Sequence, residues 1–156
     1  MHIVTGTGYH VGAEESWEEV LARLVGARTV GPKLAIEHDG YTVMCRHKVE
    51  RSSVPQGKAT APLKSLMWNK LNAARGLEPG ADLYIFGHVH YHVFAGDAFA
   101  TALTLPALQL STEYGSAEVD GDYDVGLLEL NLEKGNNWWK VHTLDLRPVG
   151  LRAVKL

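Results

Sequence analysis

Cysteine is almost missing from this chain: Cys45 is the only one among 156 residues. An internal disulfide is therefore excluded, and the usage fits a reducing compartment. The run Val43-Met44-Cys45 reads as a buried strand, so a free thiol packed as a small apolar group is expected. Positive charge is not in excess either. The formal net charge is −3 and the pI is near 6.2. Nothing in that balance neutralises a phosphate backbone, and general nucleic-acid binding is not indicated. No segment approaches the roughly 20 apolar residues of a membrane-spanning helix. The opening Met1-His2-Ile3-Val4-Thr5-Gly6 has no charged region ahead of a long apolar run. A cytoplasmic location is the resulting expectation, with no membrane association. Internal repeats and low-complexity tracts are also missing.

What is present suffices for a core: 46% of the residues are hydrophobic, and a chain of this length buries about 68–70% of its unfolded surface. One domain spanning residues 1–156 is expected. His2 to Thr5 is β-branched and apolar and runs into Gly6-Thr7-Gly8, which reads as a short buried strand ending in a tight turn. Trp17, Val20, Leu21 and Leu24 fall on one helical stripe, with Glu14 and Glu15 placed against the helix dipole. Lys33–Glu37 and Tyr41–Arg46 flank His38-Asp39-Gly40 and predict a β-hairpin, because Asp-Gly tolerates the positive φ of a tight turn. A long polar loop over 47–59 follows. Thr60 is placed to cap a helix reaching Arg75, with Leu63, Leu66, Met67, Leu71 and Ala74 as its stripe and Gly76 as its stop.

Asp82-Leu83-Tyr84-Ile85-Phe86 is a nearly continuous apolar run, as in a strand buried on both faces. Further strands are expected over 91–95, 98–105, 125–132 and 138–146, with a turn over 133–136. Helices early and strands late indicate a mixed α/β layered fold with an antiparallel C-terminal sheet.

The chemistry concentrates on histidine. His88 and His90 follow the hydrophobic strand and Gly87. In extended backbone, residues two apart project to the same side, so both imidazoles could converge on one metal. His47 ends the hairpin strand, where rigid elements hand ligands to a site. Three neutral nitrogens are the number that a catalytic zinc-type site uses while keeping a position open. Imidazole suits iron, nickel and copper as well. His92 continues the alternation and reads as a strand residue beyond the site. His10 follows the glycine-containing turn and is a candidate general acid for a leaving alkoxide. Arg51, beside Ser52-Ser53, is the candidate for holding a phosphate-bearing substrate. Trp138-Trp139 reads as a strand packing on helices, with His142 structural. Gly121-Asp122-Tyr123-Asp124 reads as a turn.

Gly87-His88-Val89-His90 at the end of a hydrophobic strand resembles the late Gly-His-x-His motif of calcineurin-like metallophosphoesterases. The resemblance implies a β-sandwich flanked by helices and a binuclear centre of manganese, iron or zinc. His88 would bind one metal and His90 the other, and His47 resembles the histidine ligand that precedes that motif. Val4 to His10 is similar to a degenerate Gly-Asn-His-(Asp/Glu) motif, with Thr7 in place of the asparagine. The family's opening Asp-x-His and Gly-Asp-x-x-Asp motifs do not occur.

The resemblance thus covers the C-terminal half of a family domain, truncated at the N-terminus. Its implied activity is hydrolysis of phosphate monoesters or diesters. The chain is expected to be a split half whose N-terminal partner, or a second copy covering the first strand, completes the site. A non-catalytic binding module of the same fold is the alternative, and a self-sufficient mononuclear hydrolase is a third.

Overall fold

The computed structural model describes residues 1–6, 17–52, 54–108 and 123–144. Nine strands run in chain order among them: β1 His2–Val4, β2 Thr29–Gly31, β3 Lys33–His38, β4 Tyr41–Arg46, β5 Leu83–Phe86, β6 Val93–Gly96, β7 Thr101–Thr104, β8 Val125–Asn131 and β9 Trp138–Leu144. Two helices join them, α1 Trp17–Leu24 and α2 Thr60–Ala74. Neither is long and apolar enough to cross a membrane.

The centre is a five-stranded sheet in the order β3-β4-β5-β7-β6. Strands β4, β5 and β7 are mutually parallel, while β3 and β6 are antiparallel edge strands. Side chains alternate across a pleated strand, and here the alternation separates two cores. Met44, Tyr84, Phe86 and Ala102 point to one face, where Leu66 of α2 covers them. Val43, Leu83, Ile85 and Leu103 point to the other, where Leu128, Leu130 and Trp139 of the β8–β9 hairpin cover them. All of Leu83–Phe86 is therefore buried, as a run without polar interruption requires. Helix, sheet and hairpin form three layers, and the mixed α/β layered class expected from the sequence is observed.

The β3–β4 hairpin turns at Asp39 and Gly40, with φ of 48° and 81°, and the Gly40 N–H donates to Glu37 Oε1 at 2.7 Å. Gly76 ends α2 with φ of 70°. Other expectations are corrected. The strand His2–Val4 is only half-buried, because among the described strands it pairs with β2 alone, in a two-stranded parallel sheet. The α1 stripe is exposed at Trp17, Leu21 and Leu24, and Ala22 is the buried residue; the short β1–β2 pair is too small to cover the rest. Residues 14–16 lie outside the described residues.

In α2 the buried face is Pro62, Leu66 and Asn69, while Leu63, Met67 and Leu71 are exposed. Asn69 takes a core position because its side chain satisfies buried backbone: Oδ1 accepts the Ala81 N–H at 2.8 Å and Nδ2 donates to the Pro79 carbonyl at 2.9 Å. Thr60 does not cap this helix. Ala59 holds the N-cap in helical geometry with no side-chain bond, since the 3-10 turn Pro55–Gly57 leads in with Lys58 already helical. Trp139 packs on the sheet and on Phe94, at 5.3 Å between ring centroids, rather than on a helix. His142 pairs with Glu129 on the exposed side of the hairpin, at 2.7 Å.

The β6–β7 turn is held by Asp97. Its Oδ1 accepts the N–H groups of Phe99 and Ala100, both at 2.9 Å, and its Oδ2 meets Lys70 of α2 at 2.7 Å. The Lys70 hydrogen bond, with the two backbone donors, lowers the Asp97 pKa from 3.8 to about 2. A carboxylate depressed by folding stabilises the fold above its unfolded pKa, and that contribution is lost as pH falls through the folded value. The increment should therefore disappear between pH 3.8 and about 2. Wild-type and Asp97→Asn proteins should converge in thermal midpoint across that window, measured by circular dichroism.

Candidate metal centre at the carboxyl edge of the sheet

Strands β4 and β5 run parallel and end in register, Arg46 opposite Phe86. Ligands of open α/β sheets bind outside the carboxyl ends of such strands, and this edge delivers His47 from one strand and Gly87-His88 from the next. The two imidazoles meet there, with ring centroids 5.2 Å apart and planes at 68°. His47 Nε2 and His88 Nδ1 are both buried. Gly87 makes the approach possible. A Cβ at Gly87 would stand 3.4 Å from His47 Nδ1 and 3.5 Å from the His47 carbonyl oxygen, so any larger side chain would crowd the ring.

The extended backbone expected for His88-Val89-His90 is not found. His88 and His90 are left-handed, with φ of 74° and 60°, and the Val89 N–H donates back to the Gly87 carbonyl at 3.0 Å. That i to i+2 bond around a residue of φ near +75° is a γ-turn, a strained form. Left-handed backbone at a residue with a Cβ costs about 1–3 kcal/mol, and such strain clusters at functional sites.

Packing and hydrogen bonds hold the strain in place. Val89 is buried between the two histidines. Beyond them, the Asp124 N–H donates to the His90 carbonyl at 3.0 Å, and Asp124 Oδ2 accepts the His92 N–H at 2.6 Å. Thr104 Oγ1 donates to the Tyr91 carbonyl at 2.6 Å. Asp124, read from the sequence as part of a turn, is thus the latch of the histidine segment. Its only sequence signal is an acidic residue just ahead of a strand.

With alternation lost, the expected convergence of three imidazoles changes. His47 and His88 are brought together, whereas the His90 ring lies 6.0 Å from that of Tyr123. Among the described residues, no three His, Cys, Asp or Glu side chains form a group that holds a metal ion as they stand. His92 turns to the far side, its Nδ1 2.8 Å from the Thr104 carbonyl and its ring stacked on Phe94. Arg51 is exposed on the loop that follows His47. His10 lies outside the described residues.

Cys45 stands on β4 opposite Ile85, and burial raises its thiol pKa to about 11. The donors at this edge are imidazole nitrogens, which suit zinc and other first-row divalent ions. Two imidazole rings in contact, each with a buried nitrogen, fit such an ion, although two neutral donors leave its charge uncompensated.

No family model and no curated protein matches this chain. Two solved structures are similar to it. One is wild-type Vps29 complexed with Zn2+ from Entamoeba histolytica, at 12% identity and a TM-score of 0.46, covering 90% of this chain and 80% of that one. The other is a single mutant of Vps29 from the same organism, with one aspartate replaced by alanine, at 14% identity and a TM-score of 0.48, covering 92% of this chain and 81% of that one.

Proposed function

We propose that this chain is a metallophosphoesterase-like binding module of the cytoplasm, a single domain that holds a divalent cation at His47 and His88 without hydrolysing esters unaided. The observation that carries this reading is the meeting of those two imidazoles at the carboxyl edge of β4 and β5, 5.2 Å apart. The sequence has neither Asp-x-His nor Gly-Asp-x-x-Asp. A hydrolytic two-metal clamp needs negative ligands to hold its ions and a bridging water, and the histidines supply none. In this reading His90 is a candidate for the position that His47 and His88 leave open, and Arg51 meets a phosphate-bearing ligand.

Zinc titration of the intact chain, followed by calorimetry, tests the proposal. His47→Ala and His88→Ala should each weaken zinc at least about 10–100-fold, the loss already seen when residues that merely orient a ligand are removed. Equal affinity in wild type and both variants would reject the histidine pair. Turnover of a chromogenic phosphodiester by the chain alone with manganese would reject the non-hydrolytic part.

A second reading is favoured by one observation: β1 and β2 form an isolated two-stranded parallel sheet among the described strands. Two-stranded sheets are marginal, and open edges attract further strands. Another polypeptide, or a second copy, covering β1 and contributing carboxylates would complete a phosphoesterase site, with His10 as its general acid. Mixing the chain with such a segment should then produce manganese-dependent phosphodiester hydrolysis that neither component shows alone.

A further inference from the structure

The geometry points to Glu18 as the negatively charged donor that accompanies His47 and His88 on the cation, an inference that rests on the metal-binding reading above. Glu18 sits in the first turn of α1. Its Oε1 accepts the Gly6 N–H at 2.9 Å. Its Oε2 is buried and has no hydrogen-bond partner among the described residues. A buried polar atom left unsatisfied costs about 1–3 kcal/mol, and more when charged, so a carboxylate oxygen in this position calls for a positive partner.

Gly6 shows where that partner belongs. A Cβ at Gly6 would lie 3.0 Å from Glu18 Oε1 and 3.9 Å from His47 Nε2. A carboxylate oxygen and a buried imidazole nitrogen thus flank the same glycine at the end of β1. His47 in turn is the ring that meets His88. Two neutral imidazoles and one carboxylate are the protein ligands of one type of zinc site, with the remaining position open. The terminal torsion of a glutamate is broad and roughly two-fold. Rotation about that torsion swings both oxygens together, so turning the carboxylate toward an ion exchanges part of the Gly6 N–H contact for a metal bond and closes a ligand group that the residues do not form as they stand.

Sequence reading passed over Glu18 because it treats acidic residues in a first helical turn as dipole partners. That role accounts for Glu19, which is exposed on the same turn, but not for a buried oxygen.

The test uses Glu18→Gln, which retains an oxygen acceptor for the Gly6 N–H and removes the charge. Glu19→Gln is the control for general electrostatics. Zinc is titrated calorimetrically into wild type and both variants, and thermal midpoints are recorded with and without zinc. Glu18→Gln should bind zinc about 10–100-fold more weakly, the range for removal of a supporting metal interaction, and its midpoint should rise less on zinc addition. Its zinc-free midpoint should equal or exceed that of wild type, since the unsatisfied charge is gone. Glu19→Gln should match wild type throughout.

Unchanged zinc affinity in Glu18→Gln, with loss in the His47 and His88 variants, overturns the role of Glu18 and leaves the histidine site standing. Equal weakening by Glu19→Gln overturns it as well. Absence of zinc binding by wild type removes both. Should Glu18→Gln not fold, Glu18→Asp replaces it. The shortened carboxylate should then reduce zinc affinity while keeping the charge, and unchanged affinity overturns the assignment.

Discussion

Phe86→Ala is expected to destabilise the protein by about 3–5 kcal/mol, the usual cost of removing a fully buried aromatic ring. Phe86 is wholly shielded from solvent at the end of β5. Its ring lies 4.3 Å from that of Tyr84, on the face that α2 covers. Deletion leaves a void between sheet and helix that neither layer can fill without shifting the other. It also removes support directly beneath Gly87 and the left-handed His88, so strain held by packing is released. Urea denaturation should show a lower midpoint with an unchanged slope, and zinc affinity should fall even though no ligand is altered. A loss below about 1 kcal/mol would contradict the burial described for this position.

Gly126→Ala is the second large effect, about 3 kcal/mol, at the upper end of what overpacking costs. Gly126 lies in β8 opposite Thr143 of β9. A Cβ there would stand 2.0 Å from the His142 carbonyl oxygen and 3.0 Å from Thr143 Cα. Both obstacles are backbone, which no rotamer change can move. The hairpin must open locally, and with it the cover that Leu128, Leu130 and Trp139 place over Val43, Leu83, Ile85 and Leu103. Of the four tryptophans, Trp17 and Trp68 are already exposed. A red shift of tryptophan emission at equal secondary-structure content would therefore report on the hairpin. Emission and thermal midpoint matching wild type would show that the hairpin accommodates the methyl group.

The layered class was legible because its signals are local. An unbroken apolar run has one comfortable place, a strand buried on both faces, and Leu83–Phe86 occupies it. Asp39-Gly40 could only be a tight turn, and Gly76 only a helix stop. What failed to read was which side of each helix faces inward. Apolar count favoured Leu63, Met67 and Leu71, yet the inward side of α2 carries Asn69, whose amide is needed by backbone ten and twelve residues away.

The geometry of the candidate site was half legible for the same reason. His47 and His88 could be placed from strand ends, whereas positive φ at His88 and His90 arises from a γ-turn and the Asp124 latch. Those are tertiary features that alternation along one strand cannot reveal. Glu18 escaped because nothing in its neighbours tells a solvated carboxylate from one facing a histidine across a glycine.

The matched ends of β4 and β5 make the main chain a ruler for the two imidazoles. Their separation is measured from the Arg46–Phe86 rung, so the loop between β4 and α2 can change length beyond Val49, its anchor in the core, with little effect on it. One residue added inside β5 is another matter. It would move His88 by about 3.3 Å and turn the strand residues that follow it to the opposite face, so tolerance to insertion should fall sharply between that loop and this strand.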